Sequence, residues 1–278
     1  MSHPFTRFVR EIKRLPLFVA LLMMPVSVLA ESALDSLLIG GAYINQSKPY
    51  AGFSASEEDL WAPLIRYDHE NFFVDGLYGN EAIGGWRFWR ERDVTVSAVG
   101  RLNTAGYDSG DSINLIFMED REWAFEVGVE AEWKPTQFGL RGQVLADVTG
   151  EHEGQEARAE ITWEGASSGW TAEYAAGVMW QSEDMVEYYF GVAPNEAIPM
   201  FRPAYLPDAE ISARGAGTLT YDLLWPITIV LHAEYRWFGD EIDDSPIVSN
   251  RGQWTLGGGI AYRFGETSRP RERGYRRQ

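Results

Sequence analysis

Glu126, Glu130 and Glu132 stand at even spacing in a stretch whose intervening residues are apolar, and Asp147, Glu160, Glu173 and Glu234 recur in later stretches of the same kind. Arg141, Arg158, Arg214, Arg236 and Arg263 share their phase. Charged groups at that spacing could serve a hydrolytic couple, Ser–His or Asp–His, or neutralise one another in a ladder of ion pairs. The hydrolytic couple needs a histidine, and beyond residue 30 the chain has only His69, His152 and His232. His69 falls at a turn and His152 in a short loop. His232, between Val230 and Glu234, reads as a member of the polar network. No two histidines stand one helical turn apart, so no metal-ligand spacing is present. The sequence therefore reads as a non-enzyme, with no catalytic, metal or cofactor site and with its charges filling an interior.

The elements that must hold these charges alternate with period two. Over Trp254–Phe264, Trp254, Leu256, Gly258, Ile260, Tyr262 and Phe264 share one face, while Thr255, Gly257, Gly259, Ala261 and Arg263 share the other. Trp123 to Trp133, Trp170 to Trp180 and Ile227 to Trp237 repeat the pattern. Each apolar face carries aromatics at its ends, giving a girdle of Trp123, Trp133, Trp170, Trp180, Trp237, Trp254, Tyr262 and Phe264. The length matches the roughly 9–11 residues that a tilted strand needs to cross a bilayer. A soluble sandwich would turn the same faces toward a core, but it would not bracket them repeatedly with aromatics. The apolar faces are thus expected to meet lipid and the charged faces a lumen. A charge at Val127 should then be costly, and a small polar residue at Glu126 tolerated.

The N-terminus indicates the compartment. Arg7, Arg10, Lys13 and Arg14 precede an apolar stretch, Leu15 to Ala30, that ends in small residues, the order of a secretory signal peptide cleaved between Ala30 and Glu31. Two prolines and only 16 residues argue against a retained helical span. Cleavage would lower 24 basic residues to 20 and 41 acidic ones to 40, a formal net charge of −20. That acidity excludes nucleic acid as a partner. The chain has no cysteine, so neither a disulfide framework nor a thiolate metal site is available.

Twelve strands are expected, over 36–45, 63–69, 71–78, 82–89, 92–101, 122–133, 137–149, 155–165, 169–181, 211–222, 225–238 and 252–264, with ten as the alternative because 63–101 is poorly patterned. The long connections, 46–62, 102–121, 182–210 and 239–251, all follow odd strands. An even up-and-down count puts them outside the cell, with short turns and both termini in the periplasm. The fold class is all-β, a single transmembrane antiparallel up-and-down barrel over 31–264, preceded by the signal peptide and followed by a basic periplasmic tail, 265–278.

Tyr188-Tyr189-Phe190-Gly191-Val192, then Asn195-Glu196-Ala197 and Ala204-Tyr205, resembles the central signature of the MipA/OmpV family of Gram-negative outer-membrane proteins. Pro49-Tyr50-Ala51-Gly52, Trp61-Ala62-Pro63, Asp244-Ser245-Pro246-Ile247-Val248 and the terminal Tyr262-Arg263-Phe264 match in order. The resemblance implies a scaffold joining the outer membrane to peptidoglycan remodelling, with a lytic transglycosylase and a murein synthase as partners. A narrow pore, an uptake protein or an adhesin is the other reading. Family members usually finish on the terminal aromatic, whereas Phe264 here is followed by a tail with five arginines and two glutamates. The tail reads as a solvated extension or as an anchor to anionic partners. Asp240, Glu241, Asp243 and Asp244 could draw a divalent cation, but a solvated acidic outer loop, or cation bridging to lipopolysaccharide, is the simpler account. Lipid and lipopolysaccharide are the expected surroundings.

Overall fold

The computed structural model describes residues 37–52, 58–78 and 81–264. The signal peptide with its Ala30–Glu31 cleavage, and the tail 265–278, lie outside the described residues. Twelve antiparallel strands form one closed ring. They are β1 Leu37–Gln46, β2 Glu58–His69, β3 Phe72–Tyr78, β4 Glu81–Glu91, β5 Val94–Asn103, β6 Ala124–Trp133, β7 Phe138–Asp147, β8 Gln155–Ser167, β9 Trp170–Gln181, β10 Glu210–Leu224, β11 Ile227–Trp237 and β12 Gly252–Phe264. Every strand pairs with its sequence neighbours, and β1 closes on β12 from Leu37↔Phe264 to Gln46↔Thr255. Closure is obligatory in lipid, where an unpaired backbone edge costs several kcal/mol per group. First strand on last is the closure that an up-and-down barrel demands.

Period-two patterning sorts the side chains. In β6, Glu126, Glu130 and Glu132 turn inward while Val127, Val129 and Trp133 stand exposed outside. Ile161, Val178, Leu231 and Ile260 belong to the same outer belt, with Ile260 62% exposed. So broad an exposed aliphatic surface is stable only against lipid or another apolar phase.

β2 begins five residues before its expected start at Pro63. Its outer half lacks clean alternation, but the ladder with β1 runs unbroken from Gln46↔Glu58 to Leu37↔Tyr67 and recruits it. On its other side β2 pairs with β3 only over Tyr67–His69. The connections after even-numbered strands, all short, fall at one rim.

At the opposite rim the long connections do not stand free. Tyr50, Tyr107, Leu115, Met118, Met185, Val186, Tyr189, Phe190, Val192, Phe238, Ile242 and Ile247 form one buried cluster drawn from all four of them. Two helices sit there, α1 Glu183–Phe190 and α2 Asp240–Asp243. Glu183 and Asp184 in the first turn of α1 suit its positive end. Met185, Val186, Tyr189 and Phe190 make the stripe that faces the cluster.

Candidate functional site in the capped, charged lumen

A connected layer of ion pairs crosses the interior. Glu81 of β4 is its hub, accepting from Arg158 of β8 at 2.9 and 2.5 Å and from Arg236 of β11 at 2.5 Å. Arg101 of β5 donates to Glu156 at 2.5 Å and to Glu126. Arg158 also reaches Glu156 at 2.5 Å, and Arg236 reaches Glu234 at 2.6 Å. Arg214 joins Glu234 at 2.7 Å to Glu160 at 2.5 Å, and Arg141 lies 3.4 Å from Glu132, 3.7 Å from Glu160 and 3.9 Å from Glu130. β4 and β11 are five places apart around the ring of twelve, as are β2 and β9, which Arg66 and Glu173 join at 2.7 Å. Bonds between such distant strands cross the lumen and do not merely follow its wall. Arg101 and Glu126 are each only 1% exposed. Charges so far from water are held by pairing, since a buried ion without a partner is strongly unfavourable.

Of the residues expected in the lumen, Glu126, Glu130, Glu132, Arg141, Arg158, Glu160, Arg214, Glu234 and Arg236 belong to this layer. Glu173 crosses separately to Arg66, and His232 lies inside with its Nδ1 3.0 Å from the Thr218 hydroxyl. Arg263 sits at the short-turn rim, 2.7 Å from Asp222. Asp147 departs from its expected place. At the end of β7 it accepts from the backbone N–H groups of Thr149, His152 and Glu153 at 2.7, 2.9 and 3.0 Å, and so ties the β7–β8 turn. That is the local role Asp commonly takes in loops. Of the girdle residues, Trp133, Trp170, Trp180, Trp237, Tyr262 and Phe264 stand exposed on the outside. Trp254 is half-buried, and Trp123, also half-buried, precedes β6 and lines a cavity beneath the cap.

Glu81, Arg101, Glu156 and Arg66 are lumen residues that sequence reasoning missed. Glu156 was within reach, because Glu156, Arg158 and Glu160 alternate in phase. His152 lies in the short β7–β8 connection, as expected, with its side chain buried under the cap. Its Nδ1 accepts from the Gly154 N–H at 3.0 Å, which leaves Nε2 to donate to Glu126 at 3.1 Å.

The cap is built from the signature residues. Tyr50 bridges to Val248, and the Ala51 N–H donates to the Ile247 carbonyl at 2.7 Å. The Ser245 hydroxyl donates to the Phe190 carbonyl at 2.6 Å, and the Tyr50 and Phe190 rings lie 5.8 Å apart. Val192 pairs with Tyr205. The Glu196 carboxylate accepts from Arg121 at 3.0 Å and from the Glu119 N–H at 2.8 Å. Buried Arg202 donates to the carbonyls of Asn114, Ile116 and Glu196. Gly106 is required where the chain crosses itself. It has a φ of +138°, and a Cβ there would come 2.2 Å from the Arg121 carbonyl oxygen. The acidic loop residues are engaged as well: Asp240 and Asp243 pair with Arg251, and Glu241 accepts from the Asp208 N–H.

Burial raises the hydroxyl pKa of Tyr50, Tyr107 and Tyr189 well above the ordinary tyrosine range. Burial and the neighbouring Glu241 carboxylate push Tyr205 up to about 12. Since the folded cap holds these protons more tightly than the unfolded chain does, its stability is complete below pH 10. It should fall as the pH rises from about 10 through 12. Tyrosinate absorbance and protease cleavage of the loops should therefore rise together in that range while strand circular dichroism persists. Loops cleaved equally at pH 8 and pH 11.5 would contradict the assignment.

The charged layer separates two cavities. One of about 260 Å³ lies against the cap and includes Tyr50, Tyr189, Phe190 and Phe238 in its walls. The other, of about 370 Å³, occupies the short-turn half and is lined by charged and polar groups. Glu81 borders both.

The family model for MltA-interacting protein MipA matches residues 39–264. The MltA-interacting protein of Escherichia coli (strain K12) is 27% identical over 212 residues, covering 73% of this chain and 80% of the relative. Outer membrane protein Omp26La of Vibrio anguillarum is 26% identical over 202 residues, covering 70% and 77%. Among solved structures, the NanC porin aligns with 82% of this chain and 99% of its own at 13% identity, with a TM-score of 0.39. With the family model spanning almost the whole barrel, the chain belongs to the MltA-interacting protein MipA family, and it is an outer-membrane β-barrel.

Proposed function

We propose that this protein is a closed, non-conducting barrel that holds a peptidoglycan-remodelling enzyme at the inner face of the outer membrane. The observation that carries the reading is the charged layer, whose Glu81–Arg236 and Arg66–Glu173 bonds span the lumen beneath a packed loop cap. A barrel so filled is suited to binding rather than to transport or catalysis. The name of the 27% identical relative supports a lytic transglycosylase as the partner, and the family resemblance adds a murein synthase. Lipid surrounds the outer aliphatic belt, and lipopolysaccharide meets the loop rim. Because the periplasmic turns are short, the partner must dock across the whole short-turn rim to bury the roughly 800 Å² per side typical of specific complexes.

A narrow pore is the second reading, favoured by Glu81 bordering both cavities, since parting its arginine bonds would join them. Planar-bilayer recording separates the two. The refolded protein is expected to show no steps above baseline in 1 M KCl, while immobilised barrel should retain a purified lytic transglycosylase from its own organism. Regular conductance steps, or no retention of the enzyme, would overturn the scaffold.

A further inference from the structure

The cavity beneath the cap is walled by residues from both faces of β2. Ala62 points inward and is buried, whereas its neighbours Trp61, 77% exposed, and Pro63 stand on the lipid side, and all three line the same space. The cavity therefore passes through the barrel wall beside β2. Strand pairing agrees. Among the described residues, β2 and β3 share a ladder only over Tyr67–His69, so Leu60 to Arg66 have no ladder partner on that side. Pro63 is of the residue type confined to strand edges, and the Gly76 N–H of β3 turns to the Asp75 carboxylate at 3.1 Å. Unladdered backbone at membrane depth is tolerated where it borders an internal space, as it does here.

We propose that this cavity binds one small uncharged amphiphile, which enters from the bilayer through the wall beside β2. Its bed is apolar: Leu60, Leu102, Met179, Met185, Phe190 and Phe238 line it, with few polar groups among them, the usual make-up of a small-molecule site. Size limits the ligand. An apolar cavity of about 150 Å³ takes up benzene, so one of about 260 Å³ takes a body of roughly ten non-hydrogen atoms. Charge limits it further. Lys48, Glu81, Arg121, Glu156 and Arg236 are the charged residues of the lining, and each is already paired, with Asp111, Arg158, Glu196, Arg101 and Glu234 in turn. A charged head group would find no open counter-ion to offset its loss of water. Gln181 differs. It is 6% exposed, and among the described residues its side chain makes one hydrogen bond, a donation to the Met185 thioether at 3.6 Å, while its amide oxygen accepts none. A thioether is a weak acceptor, so this carboxamide suits a ligand hydroxyl or amide. Binding there leaves the charged layer intact, so the inference stands apart from the scaffold reading.

Photolabelling of the full chain in lipid vesicles tests this. Diazirine derivatives of 1-nonanol and of 1-octadecanol, the second with its diazirine beside the hydroxyl, are photolysed and the adducts mapped by mass spectrometry. Both are expected to mark Leu60, Met179 or Phe190, because the longer chain can leave its tail in the bilayer through the opening. Unlabelled 1-nonanol should suppress these adducts at a membrane concentration at least tenfold below that needed with nonanoate or nonylammonium. Ala62→Phe, first shown to fold by heat-modifiable migration, should cut the labelling at least tenfold by filling the cavity. Gln181→Leu should weaken competition by 1-nonanol at least fivefold and leave competition by nonane unchanged. Adducts confined to outer-belt residues such as Val127 and Ile260 would overturn the proposal, since they report only surrounding lipid. Equal competition by the charged analogues would do the same, and labelling by the nonanol derivative alone would overturn the entrance beside β2.

Discussion

Replacing Arg101 by methionine is expected to destabilise the barrel by about 3–5 kcal/mol, the usual cost of removing one partner from a buried ion pair. Arg101 is 1% exposed, and it is the arginine that neutralises Glu126, itself 1% exposed. Glu156 would keep Arg158, but Glu126 would be left with Asn103 at 3.2 Å and His152 at 3.1 Å. A urea titration of the protein refolded into lipid bilayers measures the loss. Adding Glu126→Gln should recover at least ~1 kcal/mol, because the orphaned charge then disappears. A double variant as unstable as the sum of the two singles would show that the pair is not coupled.

The second large effect lies on the opposite face of the same strand. Val127 stands 41% exposed on the outer belt, between the inward Glu126 and Gly128. An arginine there must sit near the middle of the hydrocarbon layer, at a cost of about 2–4 kcal/mol. The comparison residue matters. From sequence, Glu126 looks like the tolerant lumen position, yet its ion pair with Arg101 makes it one of the least replaceable carboxylates of β6. Glu132 is the fair control, since its bond to Arg141 is long, at 3.4 Å, and it lies toward the open end of the lumen. Val127→Arg should fold far worse than Glu132→Gln in a bilayer titration. Equal midpoints would mean that the face exposed on β6 does not meet lipid.

Much of this was legible in β6, β9, β11 and β12. There an apolar face with aromatic ends alternates with a polar one, and the period of two needs no knowledge of neighbours. The stretch 63–101 was harder, because β2 and β3 share only a three-residue ladder and β4 carries a register shift between Arg87 and Trp89. A bulge shifts the phase of the faces, so a strict alternation misses it. Glu81 went unread because it stands one residue ahead of the expected strand 82–89, and Arg101 because it is the last residue of the expected strand 92–101, whereas Glu130 and Arg236 fall further inside theirs. The cap was missed for a different reason. Its loops are long and carry charged residues, which reads as solvated chain, although Ser182, Glu183 and Asp184 ahead of the Met185, Val186, Tyr189 and Phe190 stripe are an ordinary helix start.

The sequence by itself determined the cleanly alternating strands, the face each of these turns to lipid, the even count that puts the long loops at one rim, and the closure of the first strand on the last. All of these follow from the chemistry of a single strand or from the demand that no backbone edge remain open in lipid. Only the tertiary structure decided which charges meet. Arg236 and Glu81 are 155 residues apart in the chain and five strands apart around the ring. Their contact depends on how the ring closes, which no local spacing encodes. In the same way, Tyr50, Tyr189 and Ile247 lie in three separate loops. Each looks exposed alone, and they become a core only when the barrel brings the loop ends to one rim, where burying them together removes their apolar surface from water.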